Sequence, residues 1–75
     1  MIEDLDATGL KCPLPVLRLR KRLIALEPGA RLRVLADDPV AVVDIPHFCA
    51  EEGHAIEDRA ERDGIQHYLI RKGPV

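Results

Sequence analysis

The sequence has few aromatic residues, with no tryptophan, one phenylalanine and one tyrosine. Proteins that bind single-stranded nucleic acid use aromatic side chains as stacking platforms, so direct nucleic-acid binding is not expected. No strictly aliphatic run exceeds four residues, whereas a membrane-spanning helix needs about 20 apolar residues. The first residues do not combine positive charge with an apolar segment, as a signal peptide would. We therefore expect a soluble, cytoplasmic protein with no membrane partner.

Cysteine is also scarce, since Cys12 and Cys49 are the only two. They cannot form a disulfide framework, and they are not spaced as a Cys-x-x-Cys redox or zinc motif. The histidines, His47, His54 and His67, are scattered along the chain. We therefore expect no metal site and no cofactor, and both thiols should be reduced in the cytoplasm.

Length and charge limit the architecture further. A chain of 75 residues is expected to form one domain, residues 1–75. The formal charge of −2 is unevenly distributed, because residues 11–33 carry seven basic residues and one acidic residue. Such a basic segment attracts an acidic partner or nucleic acid. The alternative is a solvated basic helix face without a partner.

The hydrophobic pattern predicts six elements. Residues 3–8 alternate as a short strand does, and residues 31–36 and the arms 55–62 and 65–72 are also typical of strands. Asp63 and Gly64 between the two arms predict a tight hairpin. Helices are expected from Pro13 to Leu26 and after Asp38, which would cap the second helix. Pro46 predicts either a kink or a helix that begins only at Asp44.

The helical faces predict the layers. Val16, Leu19, Leu23 and Leu26 share one face of the first helix, and Ile45 and Cys49 share one face of the second. A buried structural role is therefore favoured for Cys49. Two helices with this little apolar surface would cover one face of a sheet. The expected fold is an α/β (α+β) two-layer sandwich of order β-α-β-α-β-β, with a four-stranded mixed sheet and two helices on one face.

The most informative segment places Cys12 where a loop becomes a helix. The positive end of the helix dipole and the neighbouring Lys11 would both favour the thiolate. Pro13 and Pro15 lack N–H groups and stiffen the first turn, which would hold the sulfur exposed. A buried, unreactive cysteine is the alternative when this residue is considered alone.

Residues 9–15, with Cys-Pro-x-Pro at the first turn of the first helix, resemble the TusA (SirA-like) family of sulfur carriers. Residues 5–6, 28–29, 36–39, 44–49 and 68–73 extend the resemblance over nearly the whole chain. His47 departs from the expected pattern, where we would expect glycine. The resemblance implies the two-layer fold described above.

The family resemblance also implies a persulfide relay. A cysteine desulfurase would donate a sulfane sulfur to Cys12, and a downstream DsrE-like relay protein would accept it, most often toward 2-thiouridine in tRNA. Relatives feed sulfur oxidation or cofactor assembly instead. Lys11, Pro13 and Pro15 would support the site, and Arg18, Lys21 and Arg22 would dock the partners.

Two other functions are consistent with parts of the sequence. An RNA-binding or regulatory module would use the basic first helix, and its binding would be sensitive to salt. A thiol-disulfide redox module would need Cys49 within about 7 Å of Cys12, measured between Cα atoms.

Overall fold

A computed structural model describes residues 2–74 of the chain and shows a four-stranded sheet with two helices. The elements are β1 (Ile2–Asp6), α1 (Leu14–Ile24), β2 (Arg31–Ala36), α2 (Ala41–Glu52), β3 (Ala55–Arg62) and β4 (Ile65–Arg71). The strand order is β1-β2-β4-β3, with β1 parallel to β2 and the other pairs antiparallel. The expected mixed sheet and element order are confirmed.

Both helices pack on the same face of the sheet and share one core. In β2, the side chains of Leu32, Val34 and Ala36 alternate with exposed or half-buried residues and are fully buried. Leu19 and Leu23 of α1 are buried against them, as the helical spacing predicted. The other members of this core come from β1, α2 and β4: Leu5, Ala41, Ile45, Phe48, Cys49, Tyr68 and Ile70.

The predicted hairpin is confirmed at Asp63 and Gly64. Both residues have positive φ, 52° and 78°, as both central residues of a type I′ turn require. Asp63 is the only described non-glycine residue, among 2–74, with positive φ. The turn therefore sets the pairing of β3 with β4 locally.

Some helix boundaries differ from the prediction. Helix α1 ends at Ile24 rather than Leu26, and Pro13 is its N-cap rather than its first residue. Helix α2 begins at Ala41, after Val40 as N-cap, so a start at Asp44 was wrong. The predicted cap residue, Asp38, makes only a long contact of 3.4 Å to the Val40 N–H, because its carboxylate is used elsewhere.

Parallel pairing of β1 with β2 positions the loops that follow them. The carboxyl ends of two parallel strands lie at the same sheet edge. The N–H of Ala7 still donates to the Leu35 carbonyl at 2.8 Å, just beyond β1. The chain segments that contain Cys12 and Asp38 are therefore neighbours. No helix within residues 2–74 combines the length and apolar character needed to cross a membrane.

Candidate functional site around Cys12

The backbone of the Cys12 loop is held by two aspartates that follow β2. The N–H of Gly9 donates to Asp37 Oδ1 at 3.0 Å, and the N–H of Cys12 donates to Asp38 Oδ2 at 2.6 Å. Asp38 is buried, with 7% of its surface exposed. A hydrogen bond to a buried carboxylate is among the strong ones, so the loop is well anchored beneath the cysteine.

Asp38 is itself held in place by β4. Its main-chain carbonyl accepts from Gln66 Nε2 at 2.8 Å, and the Gln66 Oε1 accepts from the Tyr68 hydroxyl at 2.8 Å. Gln66 and Tyr68 are buried. These hydrogen bonds connect the core of the sheet to Asp38, the residue whose carboxylate holds the backbone of Cys12.

The Cys12 side chain is exposed and directed at α2. Its Sγ donates to Asp44 Oδ2 at 2.9 Å. Asp44 lies in the first turn of α2 and is half-buried. The sulfur is thus open to solvent on one side and in contact with a carboxylate on the other.

The electrostatics of Cys12 are opposite to the sequence-based expectation. The hydrogen bond to Asp44 raises the pKa of the Cys12 thiol, and desolvation and the negative charges of Asp44 and Asp38 raise that pKa further. These groups oppose the helix dipole and Lys11. The expected stabilisation of the thiolate was wrong for the isolated protein, because the two carboxylates arrive from a distant part of the chain.

One backbone donor near the first turn of α1 is used within the turn itself. The Leu14 N–H donates to the Lys11 carbonyl at 2.8 Å, and it is therefore not free to serve the sulfur. Pro15 is buried and Pro13 is exposed. Both prolines line a small crevice beside Cys12 that has no room for a water molecule, and Val16, Asp38, Ala41 and Asp44 complete its lining.

The comparisons with known proteins agree with this architecture. The family model described as "Sulfurtransferase TusA" matches residues 3–72. The chain belongs to the TusA family. Candidate sulfur carrier proteins from Neisseria meningitidis serogroups A and B are each 49% identical over 63 residues, covering 84% of this chain and 85% of theirs. The crystal structure of a SirA-like protein from Desulfitobacterium hafniense superposes with a TM-score of 0.83 and 32% identity, covering 97% of this chain and 99% of that one. The chain is therefore a sulfur carrier of the TusA, or SirA-like, type.

The basic residues of this TusA-family chain are not equivalent. Lys11, Arg18 and Lys21 are exposed, as a docking role would require. Arg22 is half-buried, and its Nη2 donates to Glu3 Oε1 at 3.2 Å and to the Asp4 carbonyl at 3.0 Å. Arg22 therefore ties α1 to β1, and its charge is partly neutralised within the fold.

Cys49 lies in the core of the TusA fold, 1% exposed, and burial raises its pKa to about 11. Its burial confirms the expected packing on the apolar face of α2. Both cysteines are free thiols, and Cys12 faces a carboxylate rather than a second sulfur. Within residues 2–74, no three side chains of the His, Cys, Asp or Glu type are grouped to hold a metal ion.

Sequence reasoning missed Asp38 and Asp44 as parts of the site. The sequence pattern predicts a helix cap at Asp38 and a possible helix start at Asp44, and neither prediction points to Cys12. Their only sequence signal was their place after the second strand of a β-α-β unit, opposite the loop that follows the first strand. Parallel pairing of those strands places the segment that contains Asp38 beside the Cys12 loop, whereas the contact with Asp44 depends also on how α2 packs.

Proposed function

We propose that this TusA-family carrier accepts a sulfane sulfur from a cysteine desulfurase as a persulfide on Cys12. We further propose that it passes the sulfur to a DsrE-like relay protein, on a route toward 2-thiouridine in tRNA. One observation supports the proposal: the sulfur of Cys12 is exposed while its backbone is held by a hydrogen bond to Asp38, in a chain of a sulfur-carrier family. A thiol that must exchange sulfur with other proteins has to be accessible and held in one place.

The proposed transfer balances without an added oxidant. The Cys12 thiol loses its proton, and its thiolate attacks the outer sulfur of the donor persulfide. The new bond joins Sγ to that sulfur, while the donor sulfur-sulfur bond breaks. The electron pair leaves on the donor cysteine, which takes up a proton. The sulfane sulfur moves at the same oxidation level. In the delivery step, a thiolate of the acceptor attacks the outer sulfur of the Cys12 persulfide, and the electron pair leaves on Cys12.

The surroundings of Cys12 favour a protein rather than a small molecule as the sulfur donor. Small substrates usually bind in concave sites that enclose most of their surface. The crevice beside Cys12 does not admit even a water molecule. Exposed Lys11, Arg18 and Lys21 would instead steer an acidic protein surface toward the cysteine.

Sulfur loading is the direct test of this function. The protein is incubated with a cysteine desulfurase and cysteine and then measured by intact-mass spectrometry. We expect wild type and Cys49→Ser to gain one reductant-labile sulfur, about 32 Da by the general chemistry of persulfides, and Cys12→Ser to gain none. Loading of Cys12→Ser, or no loading of any of the three with several desulfurases, would contradict the relay. RNA binding that survives in Cys12→Ser would then support the nucleic-acid alternative.

A further inference from the structure

The Asp44 carboxylate is hydrogen-bonded directly to the sulfur of Cys12. Sγ donates to Asp44 Oδ2 at 2.9 Å, so the contact depends on the hydrogen of the protonated thiol. Cys12 is exposed and Asp44 is half-buried. Within residues 2–74, Asp44 forms no salt bridge with any lysine, arginine or histidine.

The charged groups around Cys12 come from three parts of the chain. Asp44 belongs to α2, Asp38 to the segment after β2, and Lys11 to the cysteine's own loop. Lys11 is exposed and pairs with neither aspartate in the described part of the chain. The first charged residue along α1 is Arg18, which is also exposed. The hydrogen bonds that Cys12 donates therefore go to the two carboxylates, through its N–H to Asp38 and through its Sγ to Asp44.

A thiolate on Cys12 would lose its hydrogen bond to Asp44 and would face a like charge at the same distance. The form of Cys12 that accepts sulfur, the thiolate, is thus disfavoured in the free carrier. A cation placed beside Asp44 removes that penalty, because an opposite charge within about 4–6 Å favours the ionised form of a neighbouring acid.

We propose that Asp44 is a charge gate on Cys12, which keeps the thiol protonated in the free carrier until a cationic side chain of the docking protein pairs with the Asp44 carboxylate. This inference rests on the proposed sulfur relay and adds a requirement for its partners. Each protein that exchanges sulfur with Cys12 should place a lysine or arginine against Asp44. The gate also protects the free carrier, since oxidation and alkylation of cysteine proceed through the thiolate.

The first part of the test uses the free protein. The rate of iodoacetamide labelling of Cys12 is measured from pH 6 to pH 10 in a Cys49→Ser background. Asp44→Asn keeps the size of the side chain and removes its charge. We expect labelling at pH 7 to become about threefold faster or more, because the gain in thiolate exceeds the loss of nucleophilicity. The midpoint of the pH profile should move to lower pH.

Glu51→Gln is the matched control, because it removes the same charge from the same helix. Position 51 lies about 10 Å further along α2 by helix rise, and Glu51 contacts the exposed His47 rather than the cysteine. Labelling and the pH profile should be unchanged in this variant. Unchanged or slower labelling of Asp44→Asn, or equal acceleration by Glu51→Gln, would overturn the gate.

The second part of the test measures sulfur loading from a cysteine desulfurase. We expect Asp44→Asn to load several-fold more slowly than wild type although its thiol reacts faster, since the partner's cation has lost its carboxylate. Loading that rises in parallel with labelling would overturn the claim that the partner opens the gate. Wild-type loading is scored separately, so failure of the relay itself is distinguishable from failure of the gate.

Discussion

At the scale of single residues, Asp38 connects the Cys12 loop to the sheet and to the start of α2 through its hydrogen bonds. Its carboxylate accepts from the Cys12 N–H, and its carbonyl accepts from both Gln66 Nε2 and the Ala41 N–H. It therefore contacts the cysteine loop, the central strand β4 and the start of α2. Asp38 is stable in its buried position because both its carboxylate and its main-chain carbonyl have hydrogen-bond partners.

The hydrogen bond between Gln66 and Tyr68 leads to a prediction at this scale. Gln66→Leu would leave the buried Tyr68 hydroxyl without its acceptor. The Asp38 carbonyl, which also loses Gln66, would still accept from the Ala41 N–H. We expect the free energy of unfolding in urea to fall by about 1–3 kcal/mol. The double variant Gln66→Leu, Tyr68→Phe removes the unpaired hydroxyl and should be more stable than Gln66→Leu alone. Equal or additive destabilisation of the double variant would contradict this account.

At the scale of elements, Pro46 leaves one carbonyl of α2 free to accept a hydrogen bond from the sheet. Pro46 has no N–H, so the Val42 carbonyl loses its partner within the helix. Nevertheless α2 is one helix from Ala41 to Glu52. Arg59 of β3 supplies the missing donor, with Nη2 at 3.2 Å from the Val42 carbonyl, and its guanidinium lies 5.7 Å from the centre of the Tyr68 ring. The carbonyl freed by the proline thus becomes a contact between helix and strand.

A double-mutant cycle tests this contact. Arg59→Ala should lower the free energy of unfolding by about 0.5–1.5 kcal/mol in the wild-type background. In a Pro46→Ala background, the residue 46 N–H can bond to the Val42 carbonyl, so Arg59→Ala should cost less. The lost contact with Tyr68 is common to both backgrounds and cancels in the cycle. Identical costs in the two backgrounds would show that Arg59 does not compensate for the proline.

At the scale of the whole molecule, the two cysteines lie in different environments, one exposed and one buried. Cys12 lies in the loop between β1 and α1, in contact with solvent, and Cys49 lies in the core between α2 and the sheet. Burial raises the pKa of Cys49 to about 11 from an ordinary value of 9.0. Between these values, the unfolded chain releases the Cys49 proton and the folded chain retains it.

The predicted consequence is a loss of stability in alkali. Because the folded protein binds more protons than the unfolded chain from about pH 9 to pH 11, the free energy of unfolding decreases as the pH rises through this range. Other groups titrate there too, so the measurement is the difference between wild type and Cys49→Ala in urea titrations. The slope against pH should be smaller in Cys49→Ala, and the same slope in both proteins would contradict the burial argument.

Local patterns in the sequence were sufficient for the elements of the fold, whereas Cys12 was chosen through the family resemblance of its Cys-Pro-x-Pro segment. The spacing of Leu19 and Leu23, the alternation in residues 31–36 and the Asp63-Gly64 turn each depend on neighbouring residues, so periodicity and turn chemistry predict them. The strand order β1-β2-β4-β3 and the charge balance of the site were decided only by the tertiary structure. Asp38 and Asp44 contact Cys12 from 26 and 32 residues away, and a Coulomb interaction depends on distance in space rather than along the chain. For that reason the helix N-terminus predicted a lowered pKa for Cys12, whereas the hydrogen bond to Asp44 and the charges of the two carboxylates raise that pKa.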